Sequence, residues 1–414
     1  MIQTLNTQET STPIQVSPMK LGVRVLALAE GHTVHGPAKN LLTFGRICQQ
    51  TEGMELVRLE LAPFERSREG LAPSEGPNEF LEEASRSGIP IHLIRERFRF
   101  DPRMIGGLRA LVAQLKPDVI QTHHAKSHFL LRMSGIWKTH PWIAFHHGHT
   151  RGAARLKVYH GLDRWSLRAA AHVVAVSNTC AQQLLDFGVQ PDRITVIHNA
   201  VEPGGVTFKL SADQVRAQKE SLGVPGDAKV VLAVGRLSEE KAHTDLVAAM
   251  AMLHTLHPDV ALRLVILGEG DQRPRIEESV RAAGMQDAVT LAGHIRDVIP
   301  YYQISDVMAI SSLSEGSPNV LLEAMAAGVP VVTTAVGGIP EMITDQEAIL
   351  VPPRDPAAMA RALDVVLSHR DTADRLASAA RNLATTRYSP VQRARSLVNL
   401  YGNVLARWQA GPIT

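Results

Sequence analysis

Cysteine, aromatic residues and long apolar runs are all scarce in this sequence of 414 residues. Its two cysteines, Cys48 and Cys180, exclude a disulfide framework and are typical of a reducing compartment. No apolar run approaches the roughly 18 residues that span a bilayer, so we expect no transmembrane helix. Residues 1–19 lack the apolar stretch of a signal peptide. We therefore expect a disordered lead-in there and a cytoplasmic protein.

Net charge is also small, at +2, and by itself favours neither nucleic acid nor a membrane as the partner. The first half, residues 1–203, holds 23 Lys and Arg against 18 Asp and Glu, and 13 of the 18 His. This asymmetry indicates an anionic partner for the first half, although an uneven solvated surface explains it equally well. We expect no nucleic-acid binding.

One cluster of arginines alternates with apolar side chains in the region Arg95–Arg109. Its arginines stand at positions 95, 97, 99, 103 and 109, with Phe98, Phe100 and Met104 between them. Such a pattern can contact a membrane surface or an anionic lipid carrier, which would place the protein peripherally at the inner face of the membrane. An ordinary exposed loop and helix face is an equal alternative.

Apolar runs of strand length alternate with helical patterns along both halves of the chain. Thirteen strands are predicted, from Val23–Leu28 through Ile89–Ile94 to Ile349–Val351. This alternation predicts an α/β fold of two Rossmann-like, doubly wound parallel-sheet domains, with ligands at the carboxyl ends of the strands. The predicted domains cover 20–203 and 228–389, joined by a linker, 204–227, that contains one short helix. A final helix, 390–408, is expected to pack back on the first domain.

The segment Ser314–Ala324 carries the strongest chemical signal. It follows a predicted strand, and Pro318 suits the first turn of a helix because proline has no N–H to lose there. A helix starting there would point its backbone N–H groups at the strand ends, where they attract an anion such as a pyrophosphate. Glu315 and Glu323 could accept hydrogen bonds from hydroxyls at two parts of an elongated ligand. An acidic helix start with a surface glutamate is the plain alternative.

Two cations, Arg236 and Lys241, follow the predicted strand Val230–Val234 at the same edge of the sheet. They could neutralise the charge on a departing nucleotide diphosphate, or they could be solvated and paired with neighbouring glutamates. Gly268 and Gly270 follow the next strand, where glycines let a ligand approach the backbone. Neither half contains a complete dinucleotide fingerprint, which disfavours a dehydrogenase.

These segments, in this order and spacing, resemble the family 4 glycosyltransferases of the GT-B fold. The resemblance runs from about Gly22 to Trp408 and includes Gly-Val-Pro-Val-Val at 328–332 and Gly-Gly-Ile-Pro-Glu at 337–341. It implies two domains facing across a cleft and transfer of a sugar, with retention, from a nucleotide diphosphate sugar to a hydroxyl acceptor. The commonest donor base in the family is UDP. The implied acceptor is a glycan or lipid-linked glycan, such as a growing surface polysaccharide.

The resemblance also implies roles for individual residues of the second half. Glu323 would hold the ribose hydroxyls, and Glu315 would contact the transferred sugar near the reaction centre. Arg236 and Lys241 would bind the diphosphate, so neither a metal nor a cofactor is expected. The remaining implied donor contacts are the backbone N–H groups of Asn319 and Val320, the base-pocket residues Gly268, His294 and Ile295, and Gly36 near the phosphate.

The first half matches the family pattern less closely. Gly36–Lys39 stands where the family usually has Gly-Gly-Ala-Glu, which implies a changed acceptor. His147, followed by Gly148, aligns best with a histidine that touches the donor sugar, and His146 is second. His147 therefore joins Glu315, Arg236 and Lys241 in the predicted catalytic set. The predicted acceptor contacts are His35, Lys39, His123, His146 and Ser177.

Three other interpretations stay open at this stage. A metal site is one alternative for two histidine clusters, at 123, 124 and 128 and at 146, 147 and 149, but no carboxylate or cysteine is interleaved at ligand spacing. An epimerase or a phosphorylase could use the same scaffold, the first acting on the donor without an acceptor and the second with a lysine-bound pyridoxal group. A non-catalytic nucleotide-sugar-binding subunit is the last.

Overall fold

A computed structural model describes residues 22–30, 34, 36–52, 54, 56–66, 78–98, 101–148, 154–202 and 210–411. The predicted lead-in, His35, Arg99, Phe100 and His149 lie outside these residues.

A parallel sheet of seven strands forms the centre of the first half, in the order β3-β2-β1-β4-β5-β6-β7. Its strands are β1 Val23–Ala29, β2 Val57–Arg66, β3 Ile94–Glu96, β4 Val119–Thr122, β5 Trp142–His146, β6 His172–Ala175 and β7 Ile194–Val196. The helices of this half are α1 Gly36–Gln50, α2 Glu79–Arg86, α3 Arg103–Leu115, α4 Ala125–Ser134, α5 Ala154–Leu167 and α6 Asn178–Asp186. Strands β4, β5 and β6 are buried along their whole length because apolar clusters cover both faces of the sheet.

A second parallel sheet, of six strands, follows in the order β10-β9-β8-β11-β12-β13. Its strands are β8 Lys229–Val234, β9 Leu262–Leu267, β10 Val289–Gly293, β11 Val307–Ile310, β12 Val331–Thr334 and β13 Ile349–Val351. Its helices are α7 Ala212–Ser221, α8 His243–Leu256, α9 Arg273–Ala282, α10 Ile299–Gln303, α11 Asn319–Ala327, α12 Ile339–Met342, α13 Pro356–Ser368 and α14 Arg370–Thr386. Two further apolar clusters cover the faces of this sheet.

The last helix, α15 Pro390–Gln409, returns to the first half. Its Tyr401 packs edge-on against Phe44 of α1, with ring centroids 5.9 Å apart. The Tyr401 hydroxyl donates a hydrogen bond to the Gln121 side chain of β4. The chain therefore crosses between the halves twice, and α15 closes the first half.

The strand order reverses once in each sheet, between β1 and β4 and between β8 and β11. Loops on the two sides of such a reversal run to opposite faces of the sheet and leave a crevice at the carboxyl ends of the strands. The segments after β1, β4, β8 and β11 are therefore the ones the fold sets beside a ligand. They contain Gly36, His123, Arg236 and Glu315.

Three local sequence predictions differ from the structure. The predicted bounds of the strand Ile89–Ile94 are wrong: Pro90 has no N–H to donate, Ile91 forms only an isolated bridge to Leu61, and the ladder with β2 begins at Ile94. Helix α14 was not predicted in the second half. Pro318 precedes α11 with an extended backbone, so it stands at the N-cap and not in the first turn. None of the helices in the described residues has the length and apolar character of a membrane span.

Candidate active site

The first turns of α1 and α11 meet across the two halves. The Asn319 amide donates to the Gly36 carbonyl oxygen at 3.3 Å and accepts from the Asn40 amide at 3.2 Å. The Asn40 side chain also accepts from the backbone N–H of Ala200, at 3.1 Å. Two helix N-termini, each with a partial positive charge, therefore converge on one place, which suits an anion.

Lys241 and Glu315 form an ion pair beside the start of α11. The Lys241 Nζ lies 2.6 Å from Glu315 Oε1, and the Ser312 hydroxyl donates to the same oxygen at 2.6 Å. The Glu315 side chain is only 8% exposed. Together with Val320 and His243, these residues line one cavity. The structure thus brings Lys241 to a carboxylate and a helix N-terminus that lie more than 70 residues later in the sequence.

Glu323 lies about one turn into α11 and is also held by two groups. The Tyr302 hydroxyl donates to its Oε2 at 3.1 Å, and the Lys39 Nζ of α1 lies 2.5 Å from its Oε1. Burial, followed by the adjacent Glu323 carboxylate, raises the pKa of Tyr302 well above its ordinary value, so this phenol stays a donor. Lys39, predicted as an acceptor contact, therefore reaches the carboxylate predicted to hold the donor ribose.

Arg236 lies at the same sheet edge as Lys241 but points outward. Its side chain is 63% exposed and its Nη2 lies 3.1 Å from Glu240 Oε1. Pairing with a neighbouring glutamate was the alternative to diphosphate binding that the sequence analysis left open for Arg236. A guanidinium with a long flexible stem can still reach a diphosphate at the mouth of the crevice.

The glycines after β8 and β9 have a packing reason. A Cβ on Gly268, whose φ is +145°, would overlap the carbonyl oxygen of Gly235, and one on Gly270 would overlap that of Leu237. A glycine at position 268 therefore allows the loops after β8 and β9 to pack closely, whether or not a ligand also approaches it.

The predicted base-pocket residues after β10 face the first half. The His294 ring nitrogen lies 3.9 Å from a Glu79 carboxylate oxygen of α2, and Arg296 pairs with Glu82 of the same helix at 3.3 Å. Ile295 packs against the apolar cluster beneath the second sheet. The segment therefore lies at the seam between the halves.

The two histidines at the end of β5 point in different directions. The His146 Nε2 bonds the Gln183 side chain of α6 at 3.2 Å, and its ring packs edge-on against Phe187. His147 lies next to His123, with ring centroids 5.8 Å apart. Its backbone oxygen is 3.0 Å from where a Cβ on Gly316 would stand. His147 is thus the one beside the segment of Glu315, and His146, also predicted as an acceptor contact, is turned toward α6.

Burial governs the charge of these histidines. It lowers the pKa of His123 and of His147 well below the ordinary value of a histidine, and the neighbouring histidines and Arg393 lower both further. Both rings are therefore neutral at pH 7. Among the described residues, no group of three or more His, Cys, Asp or Glu is arranged to hold a metal ion.

The Ser177 hydroxyl oxygen caps a helix. The residue is fully buried, and its Oγ accepts the backbone N–H of Cys180 at 3.2 Å as the N-cap of α6. This cap is a sufficient structural reason for a serine at position 177. The predicted contact of Ser177 with the acceptor substrate did not take the cap into account.

Contacts between the halves hold the crevice closed. The backbone N–H groups of Asn178 and Thr179, at the start of α6, donate to the Glu341 carboxylate at 2.7 and 3.0 Å. The Asn199 amide donates to the Ser317 carbonyl oxygen at 2.6 Å. A Cβ on Gly338 would lie only 2.7 Å from Ser177 Cβ of the first half. The closing contacts thus include Ser317, two residues after Glu315.

Four residues at this crevice were missed by sequence reasoning: Asn40, Tyr302, Ser312 and Arg393. Asn40 lies one turn after Gly36 on α1, which was a usable signal. The other three stand in predicted elements or loops with no motif around them, so the sequence offered no sign of their partners.

Comparison with known sequences identifies the family. Residues 214–383 match the family described as Glycosyl transferases group 1, and residues 68–204 match Glycosyltransferase Family 4. An uncharacterised glycosyltransferase of Methanocaldococcus jannaschii is 30% identical over 297 residues, which are 69% of this chain and 75% of that protein. The D-inositol 3-phosphate glycosyltransferase of Stackebrandtia nassauensis is 34% identical over 252 residues. That match covers 57% of this chain and only 55% of the relative.

Solved structures share the arrangement of two sheets. HepE of Anabaena, solved in complex with UDP-glucose, matches with a TM-score of 0.76 at 18% identity, over 92% of this chain and 99% of HepE. A sucrose-phosphate synthase of Thermosynechococcus elongatus matches with a TM-score of 0.73 at 22% identity, over 92% and 99%. At these identities the likeness concerns the fold alone. Family matches, relatives and fold agree, and the chain belongs to the family 4 glycosyltransferases of the GT-B fold.

Proposed function

We propose that this enzyme transfers a sugar from a UDP-sugar to a hydroxyl of a glycan or lipid-linked glycan, with retention of the anomeric configuration. The observation that carries the proposal is the Lys241–Glu315 pair, 2.6 Å apart, beside the start of α11. The start of α1, in the other half, faces the same point through Gly36. Cation, carboxylate and two helix N-termini form a binding place for a diphosphate and the sugar attached to it.

These residues act on the departure of the leaving group, the nucleoside diphosphate. When the bond between the anomeric carbon and the phosphate oxygen breaks, its electron pair goes to the diphosphate. Lys241 and the N-terminus of α11 stabilise that added charge, and Arg236 adds a second cation from the mouth of the crevice. These groups supply positive charge from the chain itself, so the proposed transfer uses neither a metal nor a cofactor.

Retention follows from attack on the face from which the diphosphate leaves. The acceptor oxygen bonds to the anomeric carbon, and its proton passes to an oxygen of the departing phosphate. Glu315 is held by Lys241 and Ser312, so its role is to position the sugar and not to form a covalent intermediate. Neutral His147, beside the Gly316 segment, has one ring nitrogen that can accept a hydrogen bond from a sugar hydroxyl.

One relative supports the choice of donor, and another supports transfer to a hydroxyl acceptor. HepE was solved with UDP-glucose, and a relative with 34% identity is named a D-inositol 3-phosphate glycosyltransferase. We assign UDP to the crevice between Glu323 and the His294 segment. An acceptor from surface polysaccharide or envelope assembly would be met in the cytoplasm at the inner face of the membrane.

The region Arg95–Arg109 supports membrane contact over only part of its length. Phe98 is 57% exposed next to exposed Arg95 and Arg97. Met104, in contrast, is buried in the core, and Arg109 donates to the Ser134 carbonyl oxygen at 2.8 Å. The proposed contact is therefore limited to the loop around Phe98.

The test is a thermal-shift screen of nucleotide sugars, followed by turnover of the stabilising donor with candidate acceptors. The variant Glu315→Gln keeps the shape and the Ser312 hydrogen bond, so it should fold normally and lose turnover by at least about a hundredfold. The exposed Glu278→Gln is the matched control. Normal turnover by Glu315→Gln would refute the site, and conversion of the donor without any acceptor would indicate an epimerase instead.

A further inference from the structure

Arg393 is a buried cation without a counter-charge in the described part of the chain. It lies in the first turn of α15 and is 8% exposed, and its Nε has no hydrogen-bond partner. Among the described residues, no carboxylate lies within ion-pairing distance of it. Burial lowers the pKa of Arg393 to about 10, so the guanidinium is still protonated at pH 7. Leaving such a group unpaired destabilises a fold, which calls for a reason to keep it.

His123 presents a second unpartnered donor, and its tautomer follows from its neighbours. The Tyr401 hydroxyl donates to Gln121 Oε1, so the other end of this amide is the N–H₂ group. That group lies 2.6 Å from His123 Nε2, which must therefore accept. The neutral ring then carries its proton on Nδ1, and this buried atom has no partner in the described part of the chain.

His147 adds a third group at the same place. Both of its ring nitrogens are buried and lack a partner among the described residues, and its ring lies 5.8 Å from that of His123. The Arg393 charge lies near enough to both rings to lower their pKa values. His123 directly follows β4 and His147 directly follows β5, and α15, which carries Arg393, contacts β4 through the Tyr401–Gln121 hydrogen bond. The three donors therefore lie at the carboxyl ends of the first sheet.

The nearby carboxylates do not neutralise this cluster. Asp163 is bound to His128 Nδ1 at 2.7 Å, and Glu30 is half-exposed beside Lys126, which also holds Glu96. Among the described residues, none of these carboxylates forms an ion pair with Arg393, His123 or His147. The local charge is positive, and it lies in the half opposite to Lys241.

We propose that Arg393, His123 and His147 form a subsite for an anionic substituent, a phosphoryl or carboxylate group, carried by the acceptor. This proposal rests on the proposed transfer, because it identifies the acceptor class of the same crevice. An acceptor with hydroxyls alone would leave the guanidinium without a counter-charge. An anion offers several lone pairs to the three unpartnered donors. Charge-assisted hydrogen bonds of this type are stronger than those between neutral groups.

The first test uses inorganic phosphate as the probe and thermal unfolding as the readout, with UDP present at saturation so that the donor site is filled. Phosphate at about ten times its Kd should raise the Tm of the wild-type enzyme by about 2–4 °C. Arg393→Met should abolish this rise. Arg395→Met, an exposed arginine of the same helix, should retain it, and so should Lys241→Met. Without phosphate, Arg393→Met should be at least as stable as Arg395→Met, because an unpaired buried charge is gone.

A second variant covers the case in which Arg393→Met does not fold. His123→Phe keeps a ring stacked on Phe145, whose centroid is 4.6 Å away, and removes the donor. It should weaken phosphate binding about tenfold. Equal phosphate shifts in the Arg393, His123 and Arg395 variants would overturn the subsite, as would a shift that only Lys241→Met removes, which would place the anion at the donor diphosphate. Failure of UDP to bind at all would instead count against the proposed function and leave the comparison of arginine variants valid.

Discussion

Lys39 Nζ lies 2.5 Å from Glu323 Oε1, so a cation of the first half covers the carboxylate that is proposed to hold the donor ribose. The two residues are 284 positions apart, and the contact exists only because α1 and α11 meet. The Lys39 side chain is half-exposed, whereas Glu323 is mostly buried. A nucleotide that needs Glu323 must therefore displace Lys39 first.

Removing this cation should improve nucleotide binding. In Lys39→Met, UDP no longer competes with an ion pair that is worth about 0.2–1 kcal/mol, so its Kd should fall about two- to fivefold. Titration calorimetry at low and high salt measures this, and the gain should shrink in high salt. Lys39→Arg, which retains the charge, is the control and should bind UDP like the wild type. Weaker binding by Lys39→Met would show that Lys39 contacts the nucleotide directly.

The pair of Lys241 and Glu315 should show strong coupling in a double-mutant cycle. Lys241→Met leaves the buried Glu315 carboxylate without its cation and should lower the free energy of unfolding by about 1–3 kcal/mol. The double variant Lys241→Met/Glu315→Gln should lose about 1–2 kcal/mol less than the sum of the losses of the two single variants. Urea unfolding of the four proteins gives the coupling energy. The exposed pair Arg370–Asp374, 88% and 68% exposed, is the matched control and should give a value near zero; equal values for both pairs would contradict the buried interaction.

The fold was largely predictable because its strands are buried on both faces. Such strands appear in the sequence as short continuous apolar runs, and the predicted strands Val119–Thr122, Val307–Ile310 and Ile349–Val351 are confirmed to the residue. The same criterion failed at Ile89–Ile94, where an apolar run contains Pro90 and supplies only the isolated bridge at Ile91. Apolar content alone does not show whether a run has the N–H groups to pair.

The site was predictable only within each half. Arg236, Lys241 and Glu315 follow neighbouring strands, so the rule that parallel strands end at one edge places them together. The contacts of Lys39 with Glu323 and of Tyr302 with the same carboxylate depend on how two domains and α10 pack, which no local pattern encodes. Ser177 shows that a local role can coincide with a predicted one: its hydroxyl oxygen caps α6, and its contact with an acceptor stays a prediction.

Closure of the crevice should be sensitive to a single methyl group at Gly338. A Cβ there would overlap the carbonyl oxygen of Gly316 in the same half and lie 2.7 Å from Ser177 Cβ of the other half, so Gly338→Ala must push the halves apart. We expect a loss of about 1–3 kcal/mol in stability and at least about a hundredfold in kcat. Gly226→Ala is the control, since a Cβ on Gly226 would meet nothing within 4 Å. An active and stable Gly338→Ala enzyme would show that the closed contacts are dispensable.

Stability should fall below pH 6.5 because of buried neutral histidines. Burial lowers the pKa of His172 and of His243 to about 4, whereas an unfolded histidine titrates near 6.5. Between these values the unfolded chain binds a proton that the folded protein does not, so the free energy of unfolding decreases as pH falls, by about 1.4 kcal/mol per pH unit for each histidine. Above pH 6.5 this contribution is fully present.

His172 offers the cleaner test because it lies on β6, outside the crevice, and its Nε2 bonds Thr195 Oγ1 at 2.8 Å. His172→Gln can keep that hydrogen bond and loses the titration, so its stability should drop less between pH 6.5 and 5, by about 1.4 kcal/mol per pH unit relative to the wild type. Urea unfolding at these two pH values measures the difference. The exposed His254→Gln is the control for the loss of one histidine. If His172→Gln showed the same drop as the wild type, the ring would have to be protonated in the folded protein, contrary to its burial.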